Sequence, residues 1–222
     1  MAHVARSRVV GVLLAGGRSE RMGADKALLD FAGQPMAAWC AAALAQCAPT
    51  ILVSSADERH AREVARAVTG AWPRFTVLRG VAVEPVADEV RGKGPLAGFV
   101  AAFGRSDAPH AVVSACDTPL VPPEFYRRAV SLLSEAPAIA PGLDRPEPLV
   151  SAWRRDAALA AARPLLEDGR GPHRLLEALG ARLVGADEIR AWGLDPADFA
   201  SANTPGALAR LLGRAGRGHA GA

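Results

Sequence analysis

The sequence predicts one α/β domain with a mostly parallel central sheet and helices on both of its faces. The first observation is the continuous apolar run at residues 9–14, which is typical of a strand buried on both sides. The second is that strand patterns alternate with helical patterns along the chain. The third is size, because 222 residues that are 50% hydrophobic can bury one sizeable core.

The elements follow from local pattern in chain order. Strands are predicted at 9–14, 50–55, 75–78, 111–116, 138–140, 147–153 and 182–184. Helices are predicted at 36–47, 57–68, 94–103, 130–133, 155–166 and 172–179, with a last helix after Pro205. The segment at 147–153 is expected to be an edge or antiparallel strand, since Pro148 cannot donate to a ladder. The stretch from Glu84 to Glu89 is expected to be irregular.

The domain is expected to span residues 8–212, with disordered ends at 1–7 and 213–222. The last segment is rich in glycine and arginine and offers little apolar surface to bury. A second domain is not required by the length.

Composition excludes several classes of protein. The net charge of +3 comes from scattered arginines, which favours phosphorylated small molecules over nucleic acid. The cysteines Cys40, Cys47 and Cys116 show no C-x-x-C spacing, which argues against a zinc site or a disulfide framework. We expect no membrane span and no signal peptide, and therefore a cytoplasmic protein.

A glycine-rich turn after the first strand predicts a phosphate-binding loop. Gly16 and Gly17 let backbone N–H groups approach an anion, and Arg21 and Lys26 add positive charge where a triphosphate would lie. The spacing to Gly23 fits neither a dinucleotide-binding turn nor a P-loop.

A carboxylate follows the predicted strand at 111–116. Asp117 would lie at the carboxyl end of a buried parallel strand, where open α/β sheets bind ligands. Mg²⁺ takes one or two carboxylates together with phosphate oxygens and waters, so Asp117 is the candidate metal ligand. On its own, Asp117 could equally be a turn former or a helix cap before Pro122.

Residues 14–29 fill every fixed position of the signature L-A-G-G-x-S-x-R-M-G-x-D-K-x-L-L. Segments G-P-L-A-G at 94–98 and C-D-x-P at 116–119 are also complete. The chain therefore resembles the molybdenum cofactor guanylyltransferases. The resemblance implies a Rossmann-like, GT-A-like nucleotidyltransferase fold. It also implies Mg²⁺-dependent transfer of GMP from GTP to the phosphate of molybdenum-bound molybdopterin, with release of pyrophosphate.

The resemblance also assigns residues. It implies catalytic roles for Arg21, Lys26 and Asp117. It implies nucleotide contacts at Leu14, Ala15, Gly16, Gly17, Lys26, Ser54, Asp88 and Asp117, and weaker acceptor contacts at Ser151, Arg154, Arg155 and Asn203. Ser54 stands where some members place a base-contacting asparagine, so base recognition there could use Ser55 or backbone groups instead. Either of the two arginines could simply be a solvated residue at a helix start.

Three alternatives stay open. A glycine at position 16 is associated with GTP users and an alanine with CTP users, so a cytidylyltransferase is the nearest rival, beside a sugar-phosphate nucleotidyltransferase. A GTP-binding regulatory subunit without turnover is the third. Cofactor insertion or carrier proteins and molybdoenzyme chaperones are the implied partners. No histidine stands in a nucleophile signature, and His3, His60, His110, His173 and His219 are expected to be surface or capping residues.

Overall fold

A seven-stranded sheet forms the middle layer of the computed structural model, which describes residues 6–16, 25–88 and 93–218. Its strands lie in the order β5-β4-β1-β6-β8-β7-β9. They are β1 (Val9–Leu14), β4 (Thr50–Ser55), β5 (Ala82–Ala87), β6 (His110–Ala115), β7 (Ala138–Pro141), β8 (Val150–Arg154) and β9 (Arg182–Val184). A short hairpin of β2 (Asp30–Phe31) and β3 (Gln34–Pro35) lies apart from the sheet.

Eight helices connect or flank these strands within the described residues. They are α1 (Met36–Ala45), α2 (Glu58–Gly70), α3 (Pro95–Arg105), α4 (Pro123–Ser131), α5 (Arg155–Glu167), α6 (Pro172–Ala178), α7 (Ala186–Ala191) and α8 (Pro205–Gly218). None of the helices in the part of the chain described is both long and apolar enough to cross a bilayer.

The sheet is parallel except at one strand. β5, β4, β1 and β6 pair in parallel, and β8 runs antiparallel to both β6 and β7. One core cluster packs α1, α2 and α4 on one face, and a second packs α3, α5 and α6 on the other. The prediction of a single α/β domain with helices on both faces is confirmed.

Burial explains the elements that position the site. All six residues of β1 are buried, as its continuous apolar run predicts. In α1, nine of the ten residues are buried, so this helix lies in the core instead of on the surface. In α2 only one stripe is buried, and its first turn is capped by Asp57, whose carboxylate accepts from the N–H groups of Arg59 and His60.

The third parallel strand differs from the prediction. Residues 76–78 form a 3₁₀ turn, and β5 is the segment that was expected to be irregular. The N–H groups of Ala82 and Asp88 donate to the carbonyls of Pro49 and Ser55. The even-numbered residues of β5 therefore direct their backbone N–H groups toward β4. Pro85 is odd-numbered and faces the open edge of the sheet, where its missing N–H breaks no hydrogen bond of the ladder.

The second half also contains corrections. β8 is antiparallel as expected, but it is an interior strand between β6 and β7, because Pro148 precedes the strand and takes no place in its ladder. The helix expected at 130–133 lies earlier, at α4, and the following residues 132–134 form a 3₁₀ turn.

Both expected disordered ends are partly ordered. α8 continues through residues 213–218, since Leu211 and Ala215 share one face and are buried against the cluster containing Phe31 and Trp39. At the other end, Arg6 begins a 3₁₀ turn and donates to the carbonyl oxygens of Ala45 and Ala48 at 2.6 and 3.1 Å. The remaining residues of the two predicted ends, 1–5 and 219–222, lie outside the described part of the chain.

Candidate active site

The candidate site lies at the carboxyl ends of β4, β1 and β6. The chain leaves β1 toward β4 and β5 and later crosses to β6 on the other side of β1. This change of direction opens a crevice at the end of β1, which is the place where open α/β sheets bind ligands. Ala15 and Gly16 follow β1, Asp88 follows β5, and Asp117 lies just beyond β6.

Ser54 and Asp88 form one side of this crevice. The Ser54 hydroxyl donates to Oδ1 of Asp88 at 2.8 Å. Burial raises the pKa of Asp88 above its ordinary value, and the hydrogen bond from Ser54 opposes that shift. The pair is predicted by the resemblance as two separate nucleotide contacts, and the structure brings them into direct contact.

Gly98 explains why the second glycine motif matters here. A Cβ added at this position would lie 2.7 Å from the Ser54 hydroxyl oxygen and 2.9 Å from a methyl of Leu14. Gly94, which begins α3, has φ +69°, a conformation that favours glycine. The motif therefore lets α3 approach the end of β4 closely, as expected for close packing.

Lys26 and Asp117 form the other side. The Lys26 ammonium donates to Oδ2 of Asp117 at 3.1 Å, and both side chains are mostly buried, at 16% and 17% exposure. Lys26 also donates to the amide oxygen of Asn203. The N–H of Ala202 in turn donates to the carbonyl of Asp117 at 2.8 Å. The segment before α8 therefore returns to the phosphate side of the crevice.

Two buried thiols lie close to Asp117. Burial raises the pKa of Cys40 to about 12, and the negative charge of Asp117 adds to that shift. Burial also raises the pKa of Cys116 well above its ordinary value. Both thiols are therefore protonated at neutral pH, so neither is an activated nucleophile. This agrees with a chemistry that needs no covalent intermediate on the protein.

The contacts of His60, at the start of α2, are ones that sequence reasoning missed. It was expected to be a surface or capping residue, yet its ring is three-quarters buried. Its Nδ1 lies 2.8 Å from the Ser55 hydroxyl, and its Nε2 contacts Oδ2 of Asp25. The lone histidine in an amphipathic helix gave no signal, because its two partners come from different segments of the chain.

The glycine turn is described only in part. Leu14 and Ala15 are buried, and the N–H of Ala15 donates to the Ser54 carbonyl at 2.8 Å. Gly16 is exposed, and an added Cβ would come no closer than 3.9 Å to any neighbouring atom described. Gly17 and Arg21 lie outside the described residues.

Three of the four predicted acceptor residues are not at this site. Ser151 is fully buried in β8, where it donates to the Pro148 carbonyl at 2.6 Å and accepts from Nε1 of Trp153. Arg154 pairs with His110 at the beginning of β6, and the antiparallel direction of β8 thus places it at the opposite edge of the sheet.

These two arginines stabilise backbone at that opposite edge. Arg154 donates to the carbonyls of Leu133 and Ser134 at 2.6 and 3.0 Å. Arg155 donates to the carbonyl of Phe103 at 3.1 Å. Ser151 is instead enclosed beside Trp153. Acceptor contacts at Ser151, Arg154 and Arg155 therefore stay a prediction that these contacts do not support, whereas Asn203 contacts Lys26 at the crevice.

Asp117 is the candidate metal ligand at this crevice. Among the described residues there is no group of three or more His, Cys, Asp or Glu side chains that could hold a metal ion. A single carboxylate beside a phosphate site fits Mg²⁺ bound mainly by phosphate oxygens and water, and it does not fit a cage made of protein ligands.

The fold and the crevice define an α/β protein with a ligand site at the carboxyl ends of its parallel strands. The fold is similar to that of molybdopterin-guanine dinucleotide biosynthesis protein A from Archaeoglobus fulgidus, with a TM-score of 0.75 at 23% identity over 94% of this chain and 99% of that one. It is also similar to a nucleotidyl transferase from Methanothermobacter, with a TM-score of 0.70 at 19% identity, covering 94% of this chain and 98% of that one.

The family follows from sequence. Residues 11–183 match the MobA-like NTP transferase domain, and the chain belongs to this family. A probable molybdenum cofactor guanylyltransferase from Bacillus licheniformis is 31% identical over 87% of this chain and 91% of its own length. The molybdenum cofactor guanylyltransferase of Rhodobacter capsulatus is 32% identical over 93% of this chain and 96% of its own. The chain is therefore a nucleotidyltransferase.

Proposed function

We propose that this enzyme transfers GMP from GTP to the phosphate of molybdenum-bound molybdopterin, giving the guanine dinucleotide cofactor and pyrophosphate. The observation that carries the proposal is the arrangement around the end of β1. The Ser54–Asp88 pair lies on one side and the Lys26–Asp117 pair on the other. A nucleoside triphosphate lying across β1 meets polar acceptors at one end and a cation with a metal-binding carboxylate at the other. The names of the relatives supply guanine and the pterin acceptor.

Lys26 and Asp117 have different roles at the phosphates. The Lys26 ammonium offers three N–H donors to phosphate oxygens and neutralises part of their charge. Asp117 would hold Mg²⁺, which supplies charge neutralisation at the α- and β-phosphates. Arg21, which belongs to the same loop, is proposed as a second phosphate-binding cation.

The reaction needs no protein nucleophile. A phosphate oxygen of the acceptor forms a new bond to the α-phosphorus of GTP, and the bond from that phosphorus to the bridging oxygen of pyrophosphate breaks. The acceptor phosphate is already ionised at neutral pH, so no strong base is required. The chain therefore acts by positioning both substrates and by stabilising negative charge in the transition state.

The nucleoside end would be held by Ser54, Asp88 and the backbone around Ala15 to Gly17. Asp88 offers oxygen acceptors, and Ser54 orients that carboxylate through its hydroxyl. On the other side, Asn203 is retained as an acceptor contact because it lies beside Lys26. We propose cofactor insertion or carrier proteins as the recipients of the product.

The test is pyrophosphate release with molybdenum-loaded molybdopterin, Mg²⁺ and each of GTP, CTP, ATP and UTP. We expect release with GTP, and a loss of about 10²–10³ in rate for Asp117→Asn, the range seen when one transition-state charge contact is removed. Asp156→Asn is the matched control, since Asp156 is an exposed carboxylate paired with Arg155 at the opposite edge of the sheet. It should retain wild-type turnover.

Other outcomes separate the alternatives. Release with CTP instead of GTP would indicate a cytidylyltransferase. Turnover with a sugar phosphate and no pterin would indicate a sugar-phosphate nucleotidyltransferase. GTP binding without release in the presence of acceptor would indicate a regulatory subunit, and each of these results contradicts the proposal.

A further inference from the structure

Three residues from separate segments form a continuous hydrogen-bonded chain beside the candidate site. Ser55 ends β4, His60 lies in the first turn of α2, and Asp25 precedes the phosphate-binding Lys26. His60 contacts Ser55 through Nδ1 at 2.8 Å and Asp25 through Nε2. Neither the family signature nor the proposed chemistry assigns a role to this histidine.

The ring tautomer with its proton on Nε2 satisfies both contacts of this hydrogen-bonded chain. Nε2–H donates to the Asp25 carboxylate, and Nδ1 accepts from the Ser55 hydroxyl, which itself accepts from the N–H of Asp57 at 3.4 Å. A histidine whose two ring nitrogens both make hydrogen bonds has a fixed ring orientation, and it can hold a neighbouring side chain in place.

His60 and Asp25 are each held by a further hydrogen bond that involves a backbone N–H group. On one side, the His60 backbone N–H donates to the capping carboxylate of Asp57 at 3.2 Å, which holds the histidine at the start of α2. On the other side, Oδ1 of Asp25 accepts from the Ala27 N–H at 2.9 Å. Ala27 is further held by α1, since its carbonyl accepts from the Ala37 N–H at 3.0 Å.

Lys26 lies between Asp25 and Ala27, and both of these neighbours are held in place. Its C-terminal neighbour is fixed by α1, and its N-terminal neighbour is fixed through His60. We propose that His60 is a positioning residue that fastens Asp25 to the end of β4 and thereby holds the Lys26 ammonium in place for the phosphates of the nucleotide. This inference rests on the proposed function, because it assigns phosphate binding to Lys26.

Two near-isosteric variants separate the two contacts of the ring. His60→Gln keeps an amide N–H where Nε2 contacts Asp25, whereas His60→Asn keeps a polar group where Nδ1 contacts Ser55 and loses the reach to Asp25. Both remove the ring, so any general loosening of α2 affects both. We expect His60→Asn to weaken GTP binding about tenfold, the loss of one hydrogen bond to a charged group, and His60→Gln to bind nearly as wild type.

Guanosine is the probe that excludes a merely structural role. It lacks phosphates, so His60→Asn should bind guanosine as the wild type does, with the loss confined to GTP. A double-mutant cycle with Lys26→Met then tests whether His60 acts through the Lys26 ammonium. Without that ammonium, His60→Asn should cause no further loss of GTP affinity. Equal losses for GTP and guanosine, an unchanged GTP affinity in His60→Asn, or additive losses in the cycle would each overturn the inference.

Binding and turnover keep the two proposals separate. Isothermal titration with GTP needs no acceptor, so it measures the His60 effect even if guanylyl transfer is absent. A wild-type protein that binds GTP without transferring it would overturn the proposed function alone. A wild-type protein that transfers GMP while His60→Asn binds GTP normally would overturn only the role of His60.

Discussion

The carboxyl edge of the parallel strands and the region around β8 contain similar polar residues and use them differently. At the carboxyl edge, Lys26, Asp117 and Asn203 contact one another around the crevice at the end of β1. Around β8, Arg154 donates to the backbone carbonyls of Leu133 and Ser134 in the 3₁₀ turn after α4, and Ser151 is enclosed within the sheet. The difference teaches that the direction of β8 places Arg154 at the edge opposite the crevice, whereas burial within the sheet removes Ser151 from it.

The largest expected effect comes from replacing one cation in each region, Lys26 at the crevice and Arg154 at the opposite edge. Lys26→Met should lower kcat/KM by about 10²-fold or more, since it removes a positive charge from the phosphates in the transition state. Arg154→Met should leave kcat/KM near wild type but lower the free energy of unfolding by about 1–3 kcal/mol, because two carbonyls lose their charged donor. Steady-state pyrophosphate release and urea unfolding measure the two quantities.

The cation comparison has a clear counter-result. If Arg154→Met raised KM for the pterin acceptor while leaving stability unchanged, the assignment of Arg154 to the scaffold would be wrong. Lys26→Met also has a stability readout, because it leaves the mostly buried carboxylate of Asp117 without its ion-pair partner, and the free energy of unfolding should fall as well.

Most of the fold could be predicted from the sequence, because its signals are local. The apolar run of β1 and the proline-led start of α3 each specify their element without tertiary information. β5 could not be predicted, since Glu84 and Pro85 argue against a strand unless its open edge is known. The last turns of α8 were missed because Ala215 contributes only a small apolar surface that becomes useful against Trp39.

The site was predictable only where a motif carried it. Lys26 and Asp117 belong to contiguous signatures, and the topology brings them together as expected for strand ends in one sheet. His60 contacts Ser55, five residues earlier, and Asp25, which is 35 residues away and in another segment, so no motif spacing predicts its position. Arg154 was assigned to the acceptor although an antiparallel strand was one of the two expectations for this segment. Its pairing with His110, at the start of β6, places it at the edge opposite the crevice.

Two glycines at the carboxyl edge, Gly98 and Gly16, allow a comparison with smaller expected effects. Gly98→Ala would place a methyl 2.7 Å from the Ser54 hydroxyl oxygen, forcing that hydroxyl away from Asp88. Overpacking of this kind costs about 1–3 kcal/mol, against about 1 kcal/mol that alanine gains in a helix. We expect a net loss of stability of about 1 kcal/mol and a severalfold rise in KM for GTP.

Gly16→Ala is the matched change without a clash. Among the described residues its added methyl comes no closer than 3.9 Å to any atom outside its own chain neighbours, so the free energy of unfolding should stay within about 0.5 kcal/mol of wild type. Any effect should therefore appear in nucleotide choice, measured as the ratio of kcat/KM for GTP and CTP. Full retention of GTP preference in this variant would refute a steric role for Gly16 at the base.

The smallest expected effect concerns the protonation of Asp88. Burial raises the pKa of this carboxyl in the folded protein above its ordinary value, so between those two pKa values the folded state holds more protons than the unfolded state. The contribution of Asp88 to stability is therefore fully present below the ordinary carboxyl pKa and is lost as pH rises through the folded-state pKa. Asp88→Asn removes this titration while keeping an acceptor for Ser54. As the pH rises through that window, the Tm of Asp88→Asn minus the Tm of wild type should increase. A Tm difference that does not change with pH would show that Asp88 is solvated as an ordinary surface carboxylate.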